Sequence, residues 1–239
     1  GLCALLLTAA RDQALVAAVR GTDPASAQVI AAVTLADDAT AVDTSARVVG
    51  DVSTAARGAF AAFPTTEQVW TTSTTWYLDP LPDGDLRQTY LLDGDDVTRH
   101  ATLTAGRWPA SEPSVTEVAL PGSTAGLLGV GPGSTLALTG APQHSGEAPV
   151  DPLTVLVVGT FTPRGGDRAW TRDPLGGAGY APAGADFPTY GPLVVAPGTL
   201  LGHRPVAHAV VALRPDLHGA TTATIATATD ALGALRAAL

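Results

Sequence analysis

Lysine and methionine are missing from this 239-residue chain, and cysteine occurs once. With Cys3 alone no intrachain disulfide can form. The thiol reads as a buried one at a helix edge, because Gly1-Leu2 puts leucine where a lipidated cysteine has a small residue before it. Large exported domains manage without disulfides, so this absence does not fix a compartment. The 13 basic residues are all arginine and never form a run, against 22 acidic ones, for a net charge of −9. Nucleic-acid binders show a basic patch or stripe, so nucleic acid is excluded as a partner. An acidic surface also disfavours anionic lipid headgroups. No stretch reaches the roughly 18 apolar residues a membrane span needs. Gly1–Ala10 is uncharged and leucine-rich. It reads either as the outer end of a membrane helix or as the start of an ordinary buried helix.

Alanine, glycine, proline and threonine dominate what is there, and the periodicity changes along the chain. Leu2–Val19 reads as a helix on the spacing of Leu5, Leu6, Ala9, Leu15, Val16 and Val19. Val29–Leu35 reads as a strand, and Thr44–Phe63 as a second helix stopped by Pro64. Glu67–Asp79, rich in Thr, Trp and Tyr, predicts a long strand answered by Leu86–Leu92 in an antiparallel hairpin. The centre of the chain reads as a small β module. It consists of strand Glu117–Leu120, a short helix Ser123–Leu128 capped by Ser123 or Thr124, strand Ser134–Thr139 and buried strand Leu153–Phe161. Strands at Leu193–Val195 and Ala207–Arg214 follow, separated by a helical turn at Pro197–Leu201. A final helix starts at Asp216 or Thr221 and runs to Leu239. Between them, Pro163–Tyr190 is rich in glycine and proline and holds Trp170, Tyr180, Phe187 and Tyr190. Long aperiodic segments are often functional. These aromatics either pin the segment to the domain or form a contact patch.

Motifs for chemistry fail one by one. Gly129, Gly131 and Gly133 follow a helix and precede a strand, the reverse of a dinucleotide fingerprint, so they read as a turn. His203 and His208 are five apart in a loop-to-strand segment, without the shared helix face of a zinc pair. In Gly122-Ser123-Thr124-Ala125-Gly126 the serine stands one place too early for a nucleophile elbow. Ser145 beside His144 makes no triad by adjacency. Glu67, Glu112, Glu117 and Glu147 lack flanking aromatics for a sugar platform. Asp79, Asp83, Asp85, Asp93, Asp95 and Asp96 form the densest acidic patch. They suit Asp-Gly turn chemistry or a calcium ion, outside the EF-hand pattern. No catalytic, cofactor-binding or metal residue is assigned, and the chain reads as no enzyme.

One resemblance spans Arg99 to Val195. Leu103-Thr104-Ala105-Gly106-Arg107-Trp108-Pro109 and Glu117-Val118-Ala119-Leu120 come first. Ala125-Gly126-Leu127-Leu128-Gly129-Val130-Gly131-Pro132-Gly133 and Val157-Val158-Gly159-Thr160-Phe161 follow, then Gly191-Pro192-Leu193-Val194-Val195. In order and spacing these pieces resemble the extracytoplasmic domain of FtsX-like permeases, the MacB-type membrane subunits of ABC transporters. The resemblance implies an α+β, two-lobe MacB-like domain. Residues 1–100 and 206–239 would form an α+β lobe with membrane-proximal terminal helices, and 101–205 an inserted β-rich lobe. It further implies a non-catalytic domain on the extracytoplasmic side of the cell membrane. A cytoplasmic ATP-binding subunit would drive it through transmembrane helices outside this chain, towards a peptide cargo, a lipoprotein or another cell-envelope protein. The motif glycines Gly106, Gly129, Gly131 and Gly133 would be fold determinants. A freestanding secreted binding or adhesion domain is the alternative.

Overall fold

The computed structural model describes residues 12–21, 28–35, 41–78, 86–111, 114–140, 150–182 and 187–238. The expectations for Gly1–Ala10 and Cys3, for Asp79, Asp83 and Asp85, and for Glu112, His144, Ser145 and Glu147 lie outside the described residues. The rest divide into two compact units.

The first unit takes in the described residues up to Ala32, Arg47–Gln68 and the chain from Val211 onwards. Here helix α1 (residues 12–20), most of α2 (Val42–Ala59) and α5 (Thr222–Ala238) accompany parts of strands β1 (Val29–Thr34), β2 (Thr65–Ser73) and β11 (Val206–Pro215). β11 lies between the other two strands. Phe60, Phe63, Ala59, Ala220 and Ala228 form the core, with Val19, Val29, Ile225 and Leu232 packed against it. Arg20 Nε donates to the Ala220 carbonyl at 3.0 Å, so the start and end of the described chain meet in this unit. Glu67 accepts from Ser53 and pairs with Arg57 at 3.0 Å.

The second unit, Val33–Ala46 and Val69–Val210, is a closed barrel. Its six staves run β4 (Arg87–Gly94), β3 (Trp76–Leu78), β7 (Thr135–Gly140), β8 (Val150–Pro163), β6 (Thr116–Pro121) and β10 (Thr189–Val194). The ring closes where β10 pairs in parallel with β4, Tyr190 opposite Thr89 and Leu193 opposite Leu91. β5 (Ala101–Gly106) pairs with β8 and β9 (Tyr180–Ala181) with β10. Short helices α3 (Val97–His100) and α4 (Gly122–Leu128) join strands, and a 3-10 helix spans Arg168–Arg172.

This architecture overturns the two-lobe α+β expectation: strand dominates, and the hairpin placed in an α+β lobe supplies two staves of the barrel. The physical reason is the row of backbone donors and acceptors on the far edge of β4. Pairing with β10 satisfies that edge, and ring closure removes it altogether. The long strand expected over Glu67–Asp79 is broken at Thr74–Thr75. Both pieces still pair antiparallel with β4, Thr72 opposite Leu92 and Trp76 opposite Thr89.

Strand register sorts side chains to the two sides of the wall. Leu78 opposite Leu138, Leu91 opposite Leu193, Leu136 opposite Val155 and Val118 opposite Val157 share the inner face. Thr135, Ala137 and Thr154, on the alternate positions, are exposed. A barrel this narrow is filled by its own side chains. Between Val118 and Ala119 the register slips, so Ala119 meets Gly159 and Val158 is the extra residue of a bulge. The bulge reverses alternation, which turns Phe161 outward into a second cluster with Trp70, Leu92, Val97, Ala119, Trp170 and Val194.

Candidate functional site

Two arrangements in the barrel unit bring together chemistry-bearing side chains. The first is a buried polar cluster over the second core. α3 follows β4 after a two-residue turn, and Asp96 and His100 come four apart, one turn along the chain. The His100 ring is held at Nε2 by Asp96 Oδ2 at 2.7 Å and at Nδ1 by Asp167 Oδ2 at 2.8 Å. Trp70 Nε1 donates to Asp96 Oδ1 at 2.7 Å, and Arg172 approaches the same oxygen at 3.6 Å. Trp170 Nε1 donates to the His100 carbonyl at 2.8 Å. The Trp70 and Trp170 rings meet edge to face at 5.4 Å, Trp170 stacks on Phe161, and the Arg172 guanidinium lies over Trp70.

Burial opposes ionisation of Asp96. The Trp70 indole, the His100 ring and Arg172 together outweigh it and hold the carboxyl below the usual carboxylate range. Asp167 follows the same pattern: burial opposes, while the Ala169 N–H, His100 and Arg164 win. Both His100 nitrogens are engaged, so the ring has no free position from which to take a proton from a nucleophile. The cluster joins β2, α3 and the 3-10 helix; it is built for fixing three elements.

Neighbouring carboxylates diverge. Asp93 accepts from the Gly198 and Leu200 N–H groups, and burial pushes its carboxyl up against those bonds. Asp95 accepts from Val69 N at 3.1 Å. With Asp96 turned to Trp70 and His100, the described part of the acidic patch has three separate destinations. No group of three or more His, Cys, Asp or Glu side chains is arranged to hold a metal ion among the described residues. His203 is exposed, and His208 is half-buried with its Nδ1 3.3 Å from Thr34 Oγ1. Burial lowers the pKa of His208.

The second arrangement is aromatic. Tyr77 and Phe187 meet edge to face at 6.1 Å, Tyr180 and Tyr190 lie 5.1 Å apart, and the Arg87 guanidinium sits 5.9 Å over Tyr190. Phe187 is 43% exposed while Tyr190 and Trp170 are buried. The aromatics of this segment therefore divide between the two readings: Trp170 pins it, and Phe187 faces solvent.

The expected helix cap at Ser123 or Thr124 is not made, and α4 starts at Gly122 without a side-chain cap. Ser123 Oγ donates instead to the Ala178 carbonyl at 3.3 Å and Thr124 Oγ1 to the Gly179 carbonyl at 2.5 Å, which straps down the chain before β9. Sequence reasoning missed α3, β5 and the His100 cluster. The Asp96-x-x-x-His100 spacing was the available signal, but Asp167 and Arg172 become its partners only through the fold. No family model and no curated protein matches this chain.

Proposed function

We propose that this chain is the extracytoplasmic domain of an FtsX-like ABC transporter permease, a non-catalytic body moved by ATP hydrolysis on a separate cytoplasmic subunit. The observation that carries the proposal is that the residues bearing the resemblance form one continuous framework. Gly106, at φ +70°, lies against β8, where a Cβ would come 2.1 Å from the Val158 carbonyl oxygen. Arg107 closes on Glu117 with two bonds, at 2.7 and 2.5 Å, and the Ala110 N–H adds a third at 2.9 Å. Gly129 ends α4 in the left-handed conformation, with Val130 N bonded back to the Ala125 carbonyl. A motif whose members brace one another specifies a fold. In this reading none of these residues touches a ligand.

Two further features support it. α1 and α5 both belong to the first unit, the arrangement needed if both lead to membrane spans. No described helix is itself long and apolar enough to cross a membrane. The partner, a peptide cargo, lipoprotein or other cell-envelope protein, would meet the Phe187 face, and no nucleic acid is involved. The test is to tag the full-length product in its native cell, fractionate membranes and look for a copurifying ATPase. Retention in the membrane with an ATPase is expected. A soluble secreted product without one would sink the reading in favour of a freestanding binding domain.

A further inference from the structure

Trp76 and Thr89 stand directly opposite each other on β3 and β4, and share the inner face of the barrel. They are 3% and 1% exposed. Neither the Trp76 Nε1–H nor the Thr89 hydroxyl has a hydrogen-bond partner in the protein. The contrast with the other buried indoles is sharp: Trp70 donates to Asp96 and Trp170 to the His100 carbonyl. An indole N–H and a hydroxyl left unpaired in an apolar interior each carry a full desolvation penalty, and two of them side by side call for a shared partner.

The facing positions on the neighbouring staves are glycines. On β7, Gly140 stands opposite Trp76. On β10, a Cβ at Gly191 would lie 3.6 Å from Thr89 Oγ1, so the backbone there brings no side chain against the hydroxyl. The chemistry limits what that partner can be. The indole only donates, so the occupant must accept, which excludes a metal cation or ammonium. Leu78 and Leu91 flank the pair with apolar side chains, and Arg87, the other inner-face neighbour on β4, carries its charge over the Tyr190 ring.

We propose that one ordered water molecule is bound inside the barrel, accepting from Trp76 Nε1–H and hydrogen-bonded to Thr89 Oγ1. It ties β3 to β4 from within, beside the break at Thr74–Thr75. Buried waters of this kind satisfy groups the fold cannot pair and are costly to remove.

The first measurement is on the unaltered protein: water-selective NMR on the assigned Trp76 indole N–H. A cross-peak with the sign of a water held on the protein's tumbling time is expected. Its absence overturns the proposal. Thr89→Val provides the second measurement, because the two cases predict opposite signs. If the water is bound, losing an anchor weakens it and raises the unfolding equilibrium constant about fivefold to tenfold. If the hydroxyl is simply unpaired, valine leaves stability unchanged or greater, which also overturns the proposal.

Discussion

The Tyr90 hydroxyl donates a 2.6 Å hydrogen bond to Asp173 Oδ1, joining two buried residues 83 positions apart. Asp173 Oδ2 accepts from Gly177 N at 2.7 Å, so the carboxylate fastens the turn after the 3-10 helix to β4. Burial still pushes the Asp173 carboxyl up, despite the bonds from Tyr90, Gly177 and Leu175. Burial, with Asp173 close by, pushes the Tyr90 phenol up as well.

A carboxyl raised in the folded state binds its proton more readily there than in the unfolded chain. Its contribution is full below the ordinary carboxylate value and is lost as pH rises through the folded value. Tyr90→Phe removes a donor to the charged form and raises Asp173 further. The expected cost is about 1.5–3 kcal/mol at neutral pH and less at pH 4. Urea titrations at both pH values check this, and equal losses would contradict it.

His100→Ala removes both ring bonds of the polar cluster. A loss of about 2–4 kcal/mol is expected at neutral pH. Asp96 and Asp167 are lowered, so their contribution is present above the ordinary carboxylate value and disappears as pH falls through the lower folded value. The gap between variant and parent should therefore narrow in acid, and denaturant midpoints across that range would show it.

Three glycines of the central motif should rank by backbone geometry. Gly106→Ala meets the Val158 carbonyl oxygen at 2.1 Å and a positive φ, and should cost about 3 kcal/mol or more. Gly129→Ala has open space but φ +65°, for roughly 1–2 kcal/mol. Gly131→Ala has neither obstacle and should stay within about 0.5 kcal/mol. Chemical denaturation of the three variants gives the order; a Gly131 variant as damaged as Gly106 would mean that the motif serves something besides the fold.

Phe187→Ser tests the exposed aromatic face. At 43% exposure its loss should change stability by about 1 kcal/mol or less. In the full-length protein the same change should weaken partner engagement while membrane retention and the ATPase association persist. Partner engagement unchanged by it would move the contact surface elsewhere.

Period-two alternation and β-branched runs made most staves legible, since Leu136 and Leu138, or Val155 and Val157, announce an inward face without outside help. Closure was not legible. Nothing local in Thr89–Leu92 says that its second neighbour is Tyr190–Val194, and without that pairing the hairpin looks like part of a separate lobe. The polar cluster was half legible. Asp96 immediately precedes the short helix that ends at His100, but Ala101 opens a strand immediately after it, and a four-residue helix has too little pattern to declare itself. The cap at Ser123 and Thr124 misled because the hydroxyls found carbonyls more than fifty residues away.

The parallel seam has a consequence for biosynthesis. When β4 leaves the ribosome, the strand that will cover its far edge is still about a hundred codons away; Gln88 and Thr189 are 101 apart. At ordinary elongation rates that is roughly 5–20 s. Throughout that time Leu91 and Leu92 ride on an unpaired edge of the nascent chain, open to any other extended segment nearby. A chaperone holding that hairpin during synthesis is therefore expected to raise the yield of folded protein.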